Sequence, residues 1–135
     1  MSKEPFIYGG ESAAYGVSVH AIVPACIASK SELLATLASH IDFPDYFGGN
    51  WDALEECVGD LSWLSPGRVV LAHVDIPLIN DVANARTYLA ILRDAVHKMS
   101  TSDDHPLSVV FPVEFREQID WLLRSQKGRE ARRLT

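Results

Sequence analysis

The chain has 135 residues, a formal net charge of −6, 47% apolar residues and 22% charged ones. That length suits one domain with a modest core, and the composition is that of an ordinary globule. The negative net charge argues against a nucleic-acid partner, which needs Lys and Arg to meet its phosphates, and permits a basic protein partner.

No apolar run approaches the ~20 residues that span a bilayer, which predicts no membrane partner. The start, MSKEPFIYGGES, has no basic segment followed by an apolar run, so no signal peptide is expected and the chain reads as cytoplasmic. Cys26 and Cys57 are isolated, with no C-x-x-C, and read as free thiols in a reducing compartment. His20, His40, His73, His97 and His105 are scattered without H-x-x-x-H or H-E-x-x-H spacing, so neither metal nor cofactor is expected. A Walker loop, a dinucleotide fingerprint and G-x-S-x-G are all absent.

In chain order, residues 1–15 show no period and are left irregular. Residues 17–23, VSVHAIV, alternate and predict a strand. Ser29 or Ser31 caps a helix through about Ile41, with Leu33, Leu34, Leu37 and Ile41 on one face. Pro44 and Gly48-Gly49 mark a loop, and Asn50 is a good N-cap for a helix to about Leu61. After a Ser65-Pro66-Gly67 turn, the apolar run RVVLAHV at 68–74 predicts a strand buried on both faces. A short helical turn at 75–81 leads to a helix capped by Asp81 and running to about Met99, with Tyr88, Leu89, Leu92 and Val96 inward. LSVVF at 107–111 is a third strand, and an amphipathic helix over about 113–125 follows. Helices between strands require crossovers, so the predicted class is α/β with a small, largely parallel three-stranded sheet.

The acidic residues are concentrated. Between Lys30 and Arg68 there is no Lys or Arg, while Glu32, Asp42, Asp45, Asp52, Glu55, Glu56 and Asp60 all fall there. The tail is the reverse, with Arg124, Lys127, Arg129, Arg132 and Arg133 against Glu130. At 100° per residue, Trp51, Leu54, Val58 and Leu61 share one side of the 50–61 helix. Asp52, Glu55, Glu56 and Asp60 share the other. Like charges at i,i+3 and i,i+4 each cost about 0.2–0.5 kcal/mol, and Asp60 sits at the unfavourable end of the dipole. A helix selected for stability alone would place Lys there. Clustered carboxylates instead suit a cationic partner, which they steer and then bind. Tyr46 and Phe47 stand in a Pro/Gly loop where no core pattern demands both, and aromatic anchors beside charges are an interface composition. The bland alternative is a solvated acidic face with an aromatic covering the core edge.

The segment FPDYFGGNWDALEECVGDL resembles the barstar family, intracellular inhibitors of a secreted bacterial ribonuclease. The pattern P-[DE]-Y-[FY]-G-x-N-x-D-A-L-x-[DE]-C-[LV] runs from Pro44 to Val58. The resemblance implies a barstar-like domain with a core over about 17–111, an amino-terminal extension and an added carboxyl-terminal helix. It implies a basic, extracellular-type ribonuclease as partner, barnase-like or related, and no enzymatic activity. It also implies that Tyr46, Phe47, Gly48, Asn50, Asp52, Glu55 and Glu56 plug the enzyme's phosphate-binding cleft, their carboxylates standing in for RNA phosphate. A weaker echo, Leu92-Arg93-Asp94-Ala95, adds Asp94 as an outlying contact. Two departures stand out: Glu56 replaces the family's dominant aspartate, and Glu55 replaces an aromatic residue. The extra methylene of Glu56 moves its carboxylate by about 1.5 Å.

Two rival readings remain. The first is an interaction module of the same fold that binds a different basic protein, such as another toxin or a regulator. The second is an enzyme using His73-Val74-Asp75 at a strand end, a common active-site position in α/β folds.

Overall fold

Four parallel strands form one sheet in the order β1-β4-β3-β2, where β1 is Ile7–Tyr8, β2 Val17–Val23, β3 Arg68–His73 and β4 Leu107–Phe111. The computed structural model describes residues 4–9, 17–45 and 47–124. The helices are α1 (Lys30–His40), α2 (Trp51–Val58), α3 (Val82–Met99) and α4 (Arg116–Arg124), the last entered through a 3-10 turn at Val113–Phe115.

The α/β class and parallel pairing agree with the sequence, but the sheet has four strands rather than three. The extra one lies in a stretch read as irregular. Two residues are too few to show a period, and tertiary contacts define β1. Ile7 pairs with Val110 and Tyr8 with Phe111. The Gly9 N–H donates to the Phe111 carbonyl at 3.0 Å, and the Phe6 ring lies 5.2 Å from that of Phe111. Arg116 of α4 closes this edge, bonding Glu4 at 2.6 Å and lying over the Tyr8 ring. Burial, with Asp120 and Glu4 nearby, pushes the Tyr8 hydroxyl up to about 12.

The steps β2 to β3 and β3 to β4 go the same way across the sheet. Right-handed crossovers then put their helices on one face. Accordingly Val23, Val69, Leu71, Val109 and Phe111 share a core with Leu33, Leu37, Leu54, Leu89, Leu92 and Ile119. The apolar run of β3 reflects its central place. Val70 is as buried as its neighbours although it lies outside that core cluster.

Local chemistry sets the helix starts. The Ser29 hydroxyl accepts from the Glu32 N–H, the Asn50 carboxamide oxygen from Ala53 N–H, and the Asp81 carboxylate from Asn84 N–H. The second helix stops at Val58 instead of reaching Leu61. Beyond it, Gly59, Asp60 and Leu61 donate backward to Glu55 and Cys57 carbonyls, and Leu61 takes φ +60. A left-handed leucine is unfavourable by roughly 1–2 kcal/mol. Its side chain is fully buried, and that burial, worth about 1.5–3 kcal/mol, offsets the strain.

Candidate functional site

Residues 43–45 and 47–60 build the site. The Phe47 N–H donates to the Pro44 carbonyl at 2.9 Å, closing a turn. The Phe47 ring packs 4.8 Å from that of Phe43, which meets Trp63 edge-on at 5.8 Å. The Trp63 indole N–H in turn donates to the Ile41 carbonyl. Phe47 thus covers the core edge and also lines the site. Gly49 has φ +71 with open space where a Cβ would stand, so this turn does need a glycine. Gly48 has no such requirement.

From this base α2 projects away, its first turn fixed at three points. Asn50 Oδ1 accepts from the Ala53 N–H at 2.8 Å. The Trp51 indole donates to Asn84 Oδ1 of α3 at 3.2 Å, and the Lys30 ammonium lies 5.2 Å over the Trp51 ring. Leu54, Cys57 and Val58 face the core, while Asp52 and Glu56 are exposed. Burial, reinforced by Glu56 and Asp60, pushes the Cys57 thiol up, which makes it a packed and unreactive group.

The acidic face is not convex, as a lone helix would be. An open depression of about 630 Å³ runs along it, lined by Phe47, Gly48, Asn50, Asp52, Glu56 and Asp60 among others. A second, of about 290 Å³, adjoins it between α2 and α3 and is lined by Glu55, Glu56 and Asp94 with Gly59, Ala95 and Lys98. The structure therefore brings together Phe47, Gly48, Asn50, Asp52 and Glu56 in one hollow, and Glu55 and Asp94 in the next, with Glu56 common to both. Tyr46 lies outside the described residues, as does the basic tail beyond Arg124.

Ion pairs within 4 Å join Arg93 to Asp94 at 2.9 Å and Arg116 to Glu4. Among the described residues, no arginine lies within 4 Å of the Asp52 or Glu56 carboxylate. Asp94 is different, because the adjacent Arg93 donates to its Oδ1 through both Nε and Nη2. The Asp60 carboxylate accepts from the Ser62 hydroxyl at 3.0 Å.

Sequence reasoning missed Lys98. It lines both hollows, and its Cδ and Nζ each lie 3.3 Å from where a Gly59 Cβ would stand. The last turn of α2 contains no basic residue, and Lys98 of α3 supplies the cation that the dipole favours at that end. One signal was available: Lys98 is four residues after Asp94, hence on the same helix face.

His73 belongs to the core. It is 6% exposed, stacked at 4.0 Å on Phe111, and both ring nitrogens are engaged. Nδ1 lies 3.1 Å from the Val110 carbonyl, which can only accept, so Nδ1 carries the hydrogen and Nε2 accepts from the Tyr88 hydroxyl at 2.7 Å. Burial lowers the imidazole to about 3 and pushes the Tyr88 hydroxyl well above its usual value. An imidazole closed in this way has no free nitrogen to offer a substrate, and His73 and Asp75 line neither hollow. The described residues contain no cluster of three or more His, Cys, Asp or Glu that could hold a metal, and no helix long and apolar enough to cross a membrane.

A search of curated proteins returns no match for the chain. The family model described as Barstar (barnase inhibitor) matches residues 17–112, from the first residue of β2 to the residue after β4. With the parallel sheet, the capped acidic helix and most of the chain inside that match, the protein belongs to the barstar family.

Proposed function

We propose that this chain is a protein inhibitor that binds a ribonuclease and closes its active site with the 46–60 loop and helix. The observation that carries this reading is one hollow in which exposed Asp52 and Glu56 sit beside Phe47, Gly48 and Asn50, on a helix whose first turn is fixed by three contacts. Carboxylates on a stiff scaffold present oxygen pairs to Arg as phosphate does. Little conformational freedom is lost on docking, so more of the contact energy appears as affinity. Phe47 supplies an apolar contact beside the charges; Glu55 and Asp94 extend the same surface.

The proposed partner is a basic ribonuclease of extracellular type, and the proposed role is protection of the producing cell's cytoplasm, as an immunity protein. The chain is read as one domain and as a non-enzyme.

The test is inhibition of barnase, and of ribonucleases co-purified from the native cell, with RNA as competitor. Inhibition should be competitive, and its association rate should fall steeply as salt rises, because screening shortens electrostatic steering. Asp52→Ala and Glu56→Ala should each weaken binding by at least ~2 kcal/mol, as anchoring charges do, an effect for which the barnase–barstar pair is itself a reference case. If both variants inhibit as well as the parent, the site is elsewhere.

The second reading, a module for a different basic protein, draws on Glu56 in place of aspartate and on the cation in the groove. A tightly bound basic protein without nuclease activity, recovered from the native cell and released by Asp52→Ala, would favour it.

A further inference from the structure

The acidic groove contains its own cation. Three carboxylates, Asp52, Glu56 and Asp60, line the larger hollow together with the ammonium of Lys98, which also lines the smaller hollow beside Glu55, Glu56 and Asp94. Lys98 arrives from α3, not from the acidic segment. Its stem lies across Gly59, so that an alanine there would press on both Cδ and Nζ. Its Nζ sits near the carbonyl end of α2, whose Glu55 oxygen lies 3.1 Å from the same Cβ position, and among carboxylates that line the same hollows, both of which favour a cation there.

We propose that Lys98 is a specificity-determining residue of this surface: it selects a ribonuclease whose basic cleft bears an acidic or carbonyl acceptor opposite it, and disfavours clefts that are cationic throughout. The proposal rests on the docking surface described above. A cleft bearing only Arg and Lys would meet Asp52 and Glu56 well, yet would bring a like charge against Lys98. Like charges juxtaposed in a desolvated contact are strongly unfavourable, and such repulsion is a common source of discrimination between related partners. Swinging the lysine out avoids the clash, but it removes the cation from the carboxyl end of α2 and leaves that helix end exposed to its own acidic neighbours. An acceptor on the partner avoids both penalties. Lys98 therefore acts by position and sign. A neutral side chain of similar length should lie midway between lysine and glutamate in its effect.

The experiment uses the full chain and barnase as the probe, with dissociation constants and association rates measured at low and moderate salt. Lys98→Met keeps the packed stem and removes the charge, while Lys98→Glu reverses it. Barnase affinity should rise in the order parent, Lys98→Met, Lys98→Glu, with the last at least ~10-fold tighter than the parent. The gain should shrink as salt rises. Thermal melts of each variant separate binding from folding, and Lys98→Met covers the case in which Lys98→Glu fails to fold. Asp52→Asn in the parent and in Lys98→Glu tells apart the two levels of failure. If Asp52→Asn weakens binding but both Lys98 variants stay within twofold of the parent, the selectivity role is wrong and the docking surface stands. If the Lys98 variants bind more weakly than the parent to the same extent at low and moderate salt, Lys98 serves by packing and not by charge, and the proposal is overturned. If Asp52→Asn changes nothing in either background, the docking surface falls and the selectivity role with it.

Discussion

Two sites in this molecule treat their polar groups in opposite ways. Around His73, at the end of β3, both imidazole nitrogens have partners within the chain, Val110 and Tyr88, and the ring is stacked and shielded. Along α2, Asp52 and Glu56 are exposed, and no arginine among the described residues pairs with them. A buried polar group without a partner costs about 1–3 kcal/mol, which favours the paired arrangement around His73. A solvated carboxylate carries no such penalty and stays available to another molecule. Where polar groups find their partners therefore separates residues that hold the fold from residues offered outward.

The sharpest test of that contrast is to remove charge from the outward set. Asp52→Ala combined with Glu56→Ala should weaken ribonuclease binding by well over ~2 kcal/mol while changing stability by less than ~0.5 kcal/mol, since like-charge repulsion within α2 is relieved. A calorimetric titration alongside a urea melt reads both, and a large stability loss would merge the two sets. The inverse follows for the core. Tyr88→Phe leaves His73 Nε2 without its donor and should cost close to ~2 kcal/mol of stability with binding unchanged.

The two regions also separate by pH. His73 has an ordinary value of 6.5 in an unfolded chain and about 3 in the folded one. Between those values the unfolded state binds the extra proton, so this contribution to stability is complete above pH 6.5 and is lost as pH falls toward 3. The slope should reach at most ~1.4 kcal/mol per pH unit. Urea melts between pH 7 and pH 4 should show it in the parent, and a flat profile would mean that the imidazole is protonated within the fold. Smallest is Asn50→Ala, which removes the cap on Ala53 and should cost ~1 kcal/mol of stability. Because the same residue lines the hollow, it should also weaken binding, so that one side chain both supports the fold and faces a partner.

Much was legible along the chain. β2, β4 and the starts of all three capped helices follow from alternation and from Ser29, Asn50 and Asp81, because these signals act over a few residues. The acidic side of α2 was equally clear, since 100° per residue fixes which side chains share a face. Three features were not. β1 is two residues long and exists through its pairing with β4. Leu61 leaves the helix in a left-handed conformation that only its burial supports. Phe47 read as an anchor for a partner, yet its ring also rests on Phe43, a contact that periodicity cannot reveal.

By itself the sequence determined the α/β class, the element order apart from β1, and a helix with one acidic face. These depend on neighbours three or four residues apart, or on alternation. Only the tertiary structure decided that this face is a groove rather than a ridge, that Asp94 borders it, and that Lys98 lies within it. Those facts depend on how α3 packs beside α2, and side chains about forty residues apart along the chain meet only when a shared core brings their helices together.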